Sequence, residues 1–393
     1  MTRRVSVFGA TGSVGESTLD LLARRNDIHV VALTGGRNVA RLAEAAIAHR
    51  AEIAVTAFEE CYIPLKAALA GTGIEVAAGP GAVVEAGLRP ADWIMSAIIG
   101  AAGLAPGFAA LSQGTTVALA NKESLVTAGR LLLAEAAKHG ATILPVDSEH
   151  SAVFQALVGE DISAVETVTL TASGGGLRDW PLEKLASATP EDAGKHPNWD
   201  MGQRITIDSA SMFNKAMEVI EAHEFFGLPA EKIKVLIHPQ SAVHALVAFN
   251  DGAVMGHLGA PDMRHPIGYA LNWPDRADLP VARLDLAKLG RLDFAEPDLT
   301  RFPALALADV VMRTGGAAGA VFNAAKEIAL DHFIARNIGF TQMAPVVAET
   351  LDKFDTRASL TCAPESLADV LAIDTEARHL AGEIAQTRRA RGT

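Results

Sequence analysis

The sequence predicts an α/β protein with an N-terminal doubly wound parallel sheet, a central α+β domain and a C-terminal helical bundle. Three observations support this prediction. Short apolar runs alternate with helical stretches as far as Asp147, a β-hairpin pattern follows in the middle of the chain, and helical spacing continues from about Ala304. Strands that alternate with helices form βαβ units, which build parallel sheets covered by helices on both faces.

The N-terminal sheet is predicted from apolar, β-branched runs, most of them followed by a stretch with helical spacing. These runs cover residues 4–9, 28–33, 53–55, 74–77, 93–98, 116–120 and 142–146. An alanine-rich helix is predicted over residues 38–50. The segment 93–121 carries no charge, but Gly100 and Pro106 interrupt it. We therefore interpret it as strand, loop, helix and strand rather than as a membrane span.

Beyond Asp147 the pattern changes. Residues 165–172 and 235–237 are predicted strands, and residues 242–249 and 253–258 a hairpin whose turn is Asn-Asp-Gly. A proline-rich connector precedes a helical region. The predicted domains are residues 1–147, 148–272 with a mobile lid at 193–203, the connector 273–303 and the helical region 304–393.

Composition limits the partners of the chain. Its 393 residues carry a formal net charge of -12, which argues against nucleic-acid binding because phosphate neutralisation requires Lys and Arg. The only cysteines, Cys61 and Cys362, cannot build a disulfide framework, so we expect a reducing, cytoplasmic environment. The N-terminus enters a strand pattern directly, and we expect no signal or transit segment.

A glycine-rich turn follows the first predicted strand. Residues 9–15 read Gly-Ala-Thr-Gly-Ser-Val-Gly and open a helix, a context that predicts a Rossmann-like dinucleotide site rather than merely a tight turn. The second strand ends without the carboxylate that NAD-preferring sites use. Arg37 follows it and suits the 2′-phosphate of NADP, although a surface arginine in a glycine turn is the alternative.

A pair of acidic residues ends the last predicted strand of the N-terminal region. Asp147 and Glu149 would lie on the same side of extended backbone. Two converging carboxylates repel unless a cation lies between them, and hard oxygen ligands favour Mg²⁺ or Mn²⁺ over zinc. Taken alone, such a pair is more often a solvated loop than a metal site.

A third group of polar residues favours a metal site over a solvated loop. A helix is predicted to begin at Asp208 or Ser209 and to run to about residue 226. Its positions Asn214, Lys215 and Glu218 share one face, where they offer phosphate donors and a third metal ligand. The alternative is an exposed helix with an ordinary Lys–Glu pair.

Two further segments suggest a ligand. The run 171–176, Thr-Ala-Ser-Gly-Gly-Gly, is a strand that enters a glycine turn, a possible phosphate or oxyanion nest. Trp199 lies in a polar loop between Pro197 and Gly202, where a hydrophobic lid over a ligand explains it better than a core position.

Several long motifs are spread along the chain, namely GATGSVGESTLDL (9–21), ALANKESLV (118–126), PVDSEHSAVFQ (145–155), TASGGG (171–176), HPNWDMG (196–202), IDSASMFNKAMEVIEA (207–222) and IHPQSAVHALV (237–247). Together they resemble the 1-deoxy-D-xylulose 5-phosphate reductoisomerase family over nearly the whole chain. The resemblance implies an NADPH-dependent oxidoreductase and isomerase that requires Mg²⁺ or Mn²⁺, with Co²⁺ as a further option. It also implies a homodimer that converts 1-deoxy-D-xylulose 5-phosphate to 2-C-methyl-D-erythritol 4-phosphate in the non-mevalonate isoprenoid pathway.

The resemblance also assigns residues by motif. The implied metal ligands are Asp147, Glu149 and Glu218, which count as catalytic together with Lys122 between cofactor and substrate. The implied substrate contacts are Lys122, Ser148, Glu149, Ser173, His196, Trp199, Met201, Ser209, Asn214, Lys215, Glu218 and His244, with Trp199 and Met201 on the lid. The implied NADPH contacts are Thr11, Gly12, Ser13, Val14, Gly36, Arg37, Asn38, Asn121, Glu123 and Gly202.

The chain departs from the family pattern in a few places. Arg37 replaces a frequent Lys, Arg204 stands where Lys is common, and residues 211–213 read Ser-Met-Phe instead of Thr-Met-Met. None of these departures removes an implied ligand. The group that moves protons stays open among Lys122, Glu149 and His150.

Rival functions fit the residues less well. A short-chain dehydrogenase needs Tyr-x-x-x-Lys on a helix, and Tyr62 and Lys66 have that spacing, but Pro64 between them argues against a helix. A semialdehyde dehydrogenase needs an activated thiolate, and neither cysteine has a suitable context. The remaining alternative is a non-catalytic NADP-sensing regulator.

Overall fold

The computed structural model describes residues 2–196 and 202–391, which divide into two compact units. Within the described residues, the first unit contains 2–124, 130–151 and 262–282, and the second contains 125–129, 152–196, 202–261 and 283–391. The limits predicted at residues 147, 272 and 303 stay predictions.

The described elements follow the chain in this order. The strands are β1 Arg3–Phe8, β2 Ile28–Gly35, β3 Ile53–Thr56, β4 Glu75–Ala78, β5 Trp93–Ser96, β6 Thr116–Leu119, β7 Ile143–Pro145, β8 Val165–Ala172, β9 Ile233–Ile237, β10 Val243–Phe249 and β11 Val254–Leu258. The helices are α1 Ser13–Leu22, α2 Val39–Ala48, α3 Tyr62–Ala68, α4 Pro80–Gly87, α5 Leu104–Leu111, α6 Lys122–His139, α7 Ser148–Ala156, α8 Pro190–Ala193, α9 Gln203–Ala210, α10 Phe213–Phe226, α11 Arg264–Asn272, α12 Leu286–Leu289, α13 Pro303–Thr314, α14 Ala318–Ile334, α15 Met343–Ala358 and α16 Leu367–Arg391.

The first unit is built on a seven-stranded parallel sheet in the order β4-β3-β2-β1-β5-β6-β7. Its central strands are buried because they are continuous apolar runs, as Val5, Val7 and Phe8 of β1 illustrate. The strand order reverses between β1 and β5, and ligands of open α/β sheets bind at the carboxyl ends of the strands at such a reversal. The predicted doubly wound, Rossmann-like sheet is confirmed.

The second unit contains a four-stranded sheet in the order β11-β10-β8-β9, with the predicted hairpin formed by β10 and β11. Helices α10 and α13 to α16 belong to the same unit, and buried aromatic side chains of α10 and α14 meet in its core. The ring centroids of Phe213 and Phe322 lie 5.9 Å apart, and both side chains are almost completely buried. The predicted central α+β region and C-terminal helical region are confirmed.

Three local predictions are wrong. The helix predicted from Asp208 to residue 226 is two helices, α9 and α10, because Met212 between them adopts φ of 61°. Asp147 and Glu149 are not on extended backbone, since β7 ends at Pro145 and Glu149 lies in the first turn of α7. Pro64 does not prevent a helix, because it lies in the first turn of α3, where its missing N–H has no intrahelical acceptor.

Among residues 2–196 and 202–391, no helix combines the length and the apolar character that crossing a membrane requires. The uncharged stretch 93–121 forms β5, α5 and β6 instead, as the sequence predicts.

Candidate active site

The glycine turn after β1 requires glycine at its first and last positions. Gly9 has φ of 81°, and a Cβ atom there would lie 2.5 Å from the carbonyl oxygen of Ala97. A Cβ atom on Gly15 would lie 2.2 Å from the carbonyl oxygen of Gly9. The turn therefore packs its backbone closely and presents Thr11, Gly12, Ser13 and Val14 at the N-terminus of α1, where backbone amides favour an anion.

The segment after β2 carries Gly36, Arg37 and Asn38. The Arg37 guanidinium lies 3.9 Å from the centroid of the Phe58 ring and forms an ion pair with Glu60. The Asn38 side chain caps α2 by accepting a hydrogen bond of 3.2 Å from the Arg41 amide. Phe58 and Glu60 are not among the predicted residues, although their position just after a neighbouring strand could have indicated them.

Asn121 lies between β6 and α6 and is almost completely buried. Its side-chain oxygen accepts a hydrogen bond of 3.0 Å from the Ser124 amide, and its side-chain nitrogen donates to the carbonyl oxygens of Ile98 and Gly100. The Asn121 side chain thus joins the loops after β5 and β6, and Lys122 and Glu123 begin the following helix.

Lys122 and the acidic pair come together inside the first unit. The Lys122 ammonium forms an ion pair with Asp147, with side-chain exposures of 11% and 13%. Ser148 donates a hydrogen bond of 2.5 Å to Glu149. Oxygen atoms of Asp147 and Glu149 lie within 4.8 Å of each other. This close approach in a protected position favours a cation site over the alternative of a solvated loop.

The polar face of α10 forms as predicted. Asn214 and Lys215 both donate hydrogen bonds to Glu218, which lies four and three residues further on. The Lys215 and Glu218 side chains are only 4% and 1% exposed. This burial shows that the alternative of an ordinary exposed Lys–Glu pair is wrong. Burying two charges is costly, and pairing them reduces that cost.

The glycine turn after β8 brings Ser173 to His196. The Ser173 hydroxyl lies 3.0 Å from Nε2 of His196 and accepts a hydrogen bond of 3.1 Å from the Gly175 amide. Gly174 and Gly175 have φ of 87° and 70°, and a Cβ atom on Gly175 would lie 2.7 Å from the carbonyl oxygen of Ser209. Burial lowers the pKa of His196. Ser173, His196 and the end of α9 thus line one polar corner of the second unit.

The other predicted residues occupy varied positions. His244 is buried on β10, with its ring centroid 5.9 Å from that of His257. Gly202 is the exposed N-cap of α9. Trp199 and Met201 lie outside the described residues. A buried ion pair between Asp208 and Lys326, with its two atoms 3.0 Å apart, was not predicted because the partners are far apart in sequence.

These features define a class of protein, a Rossmann-type fold with a glycine turn suited to a dinucleotide and with protected lysine–carboxylate pairs. Models of 1-deoxy-D-xylulose 5-phosphate reductoisomerase and of its C-terminal domain match residues 5–129 and 143–226, and a model of the DXP reductoisomerase C-terminal domain matches residues 258–380. The 1-deoxy-D-xylulose 5-phosphate reductoisomerase of Jannaschia sp. is 67% identical over 96% of this chain and 97% of its own length.

Solved structures agree with the sequence comparison. The Zymomonas mobilis reductoisomerase in complex with NADPH is 48% identical with a TM-score of 0.92, and the alignment covers 98% of this chain and 100% of that one. A DOX-P reductoisomerase in complex with NADPH, fosmidomycin and magnesium is 38% identical with a TM-score of 0.93, covering 98% of both chains. The chain belongs to the 1-deoxy-D-xylulose 5-phosphate reductoisomerase family. The predicted family, enzyme class and activity are confirmed, in preference to a non-catalytic sensor.

Proposed function

We propose that this chain converts 1-deoxy-D-xylulose 5-phosphate to 2-C-methyl-D-erythritol 4-phosphate with NADPH and a divalent cation, on the non-mevalonate route to isoprenoids. The observation that carries the proposal is the presence of two protected lysine–carboxylate pairs, Lys122–Asp147 and Lys215–Glu218. A protein that only senses NADP needs neither pair. An enzyme that binds an anionic sugar and stabilises charge on it needs both signs of charge in a site shielded from water.

The NADPH site is assigned to the carboxyl ends of the first-unit strands. The turn that Gly9 and Gly15 keep narrow lets a pyrophosphate approach the α1 amides, so the residues fit the cofactor. NADPH supplies the hydride that reduces the rearranged aldehyde. The contacts that we assign are Thr11, Gly12, Ser13, Val14, Gly36, Arg37, Asn38, Asn121, Glu123 and Gly202.

The metal site is assigned to Asp147, Glu149 and Glu218. All three offer carboxylate oxygens, a donor set that fits Mg²⁺ or Mn²⁺, or Co²⁺, better than zinc. The cation supplies Lewis-acid stabilisation of the negative charge that develops on substrate oxygens. Lys122 gives Asp147 a positive neighbour, and Lys215 and Asn214 do the same for Glu218, so these carboxylates are held in place by the protein itself.

The substrate phosphate is assigned to the polar corner of the second unit. Ser173, His196 and Ser209 lie around the Gly174–Gly175 turn, and Asn214 and Lys215 add donors from α10. Binding energy at this remote group orients the reacting carbons and closes a lid at residues 193–203. The further substrate contacts that we assign are Lys122, Ser148, Trp199, Met201 and His244.

The test follows NADPH absorbance with 1-deoxy-D-xylulose 5-phosphate, with Mg²⁺ or Mn²⁺ and after chelation. We expect Asp147→Asn and Glu218→Gln each to lower the rate at least about a hundredfold, since charge stabilisation of this kind is worth that much. NADPH binding, measured by its fluorescence, should change little. The control is Glu160→Gln, which removes an exposed acid. Full activity after chelation, or in both site variants, would refute the proposal.

We also propose a cytoplasmic homodimer. Strand β11 is an edge of the second sheet, and its Val254, Met255 and Leu258 are 60%, 37% and 37% exposed. An exposed apolar edge strand is a pairing surface, which a second copy of the chain would cover. The free thiols Cys61 and Cys362 support a reducing compartment.

A further inference from the structure

Hydrogen bonds between the ends of β2 and β3 fix the surroundings of Arg37. The Ala57 amide donates to the carbonyl oxygen of Gly35 at 2.9 Å, and the Thr56 hydroxyl donates to that of Gly36 at 3.0 Å. The Phe58 amide lies 3.3 Å from the same hydroxyl. These bonds hold the segment after β3 beside the segment after β2.

The Arg37 side chain has two partners in this segment. Its guanidinium stacks on Phe58 at 3.9 Å from the ring centroid and pairs with Glu60, which lies two residues further on. The Arg37 and Glu60 side chains are 63% and 59% exposed, so a ligand can reach both. A hydrogen bond from its own backbone amide and one from Arg37 lower the pKa of Glu60, so the carboxylate is charged at neutral pH.

The pairing has a consequence for cofactor binding. At the proposed site, the 2′-phosphate that distinguishes NADPH from NADH has to replace Glu60 as the partner of the Arg37 guanidinium. NADH does not have to displace Glu60, because its ribose carries a 2′-hydroxyl, which can donate a hydrogen bond to a carboxylate. Stacking on Phe58 keeps the plane of the Arg37 guanidinium in one orientation whether NADPH or NADH binds.

We propose that Glu60 competes with the 2′-phosphate of NADPH for Arg37 and thereby weakens the preference of this chain for NADPH over NADH. The inference rests on the proposed NADPH site. Glu60 acts on cofactor selection and not on the chemical step, because its carboxylate pairs with Arg37, the residue assigned to the 2′-phosphate.

The test is direct binding of NADPH and NADH to the full chain, measured by nucleotide fluorescence without substrate or metal. Because an exposed ion pair is weak, releasing Arg37 from Glu60 should tighten NADPH about two- to fivefold in Glu60→Gln, with NADH changed less than about twofold. The gain should shrink at high salt, since the groups are exposed. In Arg37→Met, NADPH binding should weaken and the further change Glu60→Gln should bring less than about twofold.

The matched control is Glu44→Gln. Glu44 is 67% exposed and pairs with Arg41 on α2, so this change removes an equal charge from the same region without touching Arg37. It should leave both dissociation constants unchanged. An unchanged NADPH affinity in Glu60→Gln, an equal gain for both dinucleotides, or a gain that persists in Arg37→Met would overturn the inference. A wild-type chain that binds neither dinucleotide would instead refute the NADPH site itself.

Discussion

Replacing Lys326 by methionine leaves a buried carboxylate without its ion-pair partner. Lys326 of α14 contacts Asp208 of α9 at 3.0 Å, with side-chain exposures of 5% and 9%. Removing one partner of a buried pair costs about 3–5 kcal/mol, because the other charge stays out of water. For a unit of this size, the unfolding midpoint should fall by about 6–20 °C.

The loss of stability in Lys326→Met should increase with pH. Burial raises the pKa of Asp208 above its ordinary value of 3.8, and Lys326 opposes that rise. In Lys326→Met the pKa of Asp208 therefore rises further. A raised folded-state pKa gives stability at low pH that is lost as pH increases, by up to about 1.4 kcal/mol per pH unit while the folded group stays protonated. The deficit of the variant should thus be larger at about pH 8 than at about pH 5.

Thermal unfolding at the two pH values, followed by circular dichroism, measures both effects. Asp331→Asn is the matched control, because it breaks an exposed pair with Arg204 between the same two helices and should cost at most about 1 kcal/mol. The double variant Asp208→Asn with Lys326→Met should recover much of the loss, since no buried charge remains. If Lys326→Met lost the same stability at both pH values, and Asp208→Asn did not restore it, the loss of the Asp208–Lys326 ion pair would not be its cause.

Two further predictions concern the second unit. Burial lowers the pKa of His196 below its ordinary value of 6.5, so this group stabilises the fold above pH 6.5 and the contribution is lost as pH falls through the folded-state pKa. NMR titration of its ring should report a pKa below 6.5 that increases when inorganic phosphate binds, and a value at or above 6.5 without phosphate would contradict the burial argument. Met255→Glu on the exposed edge strand should halve the mass measured by sedimentation if β11 joins two copies, whereas Ile63→Glu, a change at a 70% exposed position on α3, should not. A dimeric Met255→Glu variant would exclude β11 as the interface.

The parts of the fold that depend on local pattern could be predicted. The strands of the first sheet begin and end within a few residues of the predicted limits, because parallel strands buried on both faces are continuous apolar runs. The hairpin of β10 and β11 followed from Asn-Asp-Gly between alternating strands. The polar face of Asn214, Lys215 and Glu218 followed from helical spacing alone.

Features set by tertiary contacts could not be predicted. One helix is predicted from Asp208 or Ser209 to about residue 226, yet the chain breaks at Met212, just after α9 ends against the glycine turn at Gly175. The pairing of Asp208 with Lys326 joins helices that are separated by much of the second unit in sequence. The contact between His196 and Ser173 was implied only by family resemblance. No spacing rule relates the end of a strand to a loop that comes 23 residues later in the chain.

The charged groups of the site show how local and tertiary rules combine. Lys215 is placed beside Glu218 by a three-residue helical step, and Lys122 is placed beside Asp147 because β6 and β7 are neighbours in the sheet. Each pair lies within a single unit, so each unit compensates its own carboxylate during folding without any ligand. Acidic side chains that would otherwise be too costly to bury are thereby stabilised, and in the proposed function the carboxylates would hold a cation and the same lysines would contact an anionic substrate.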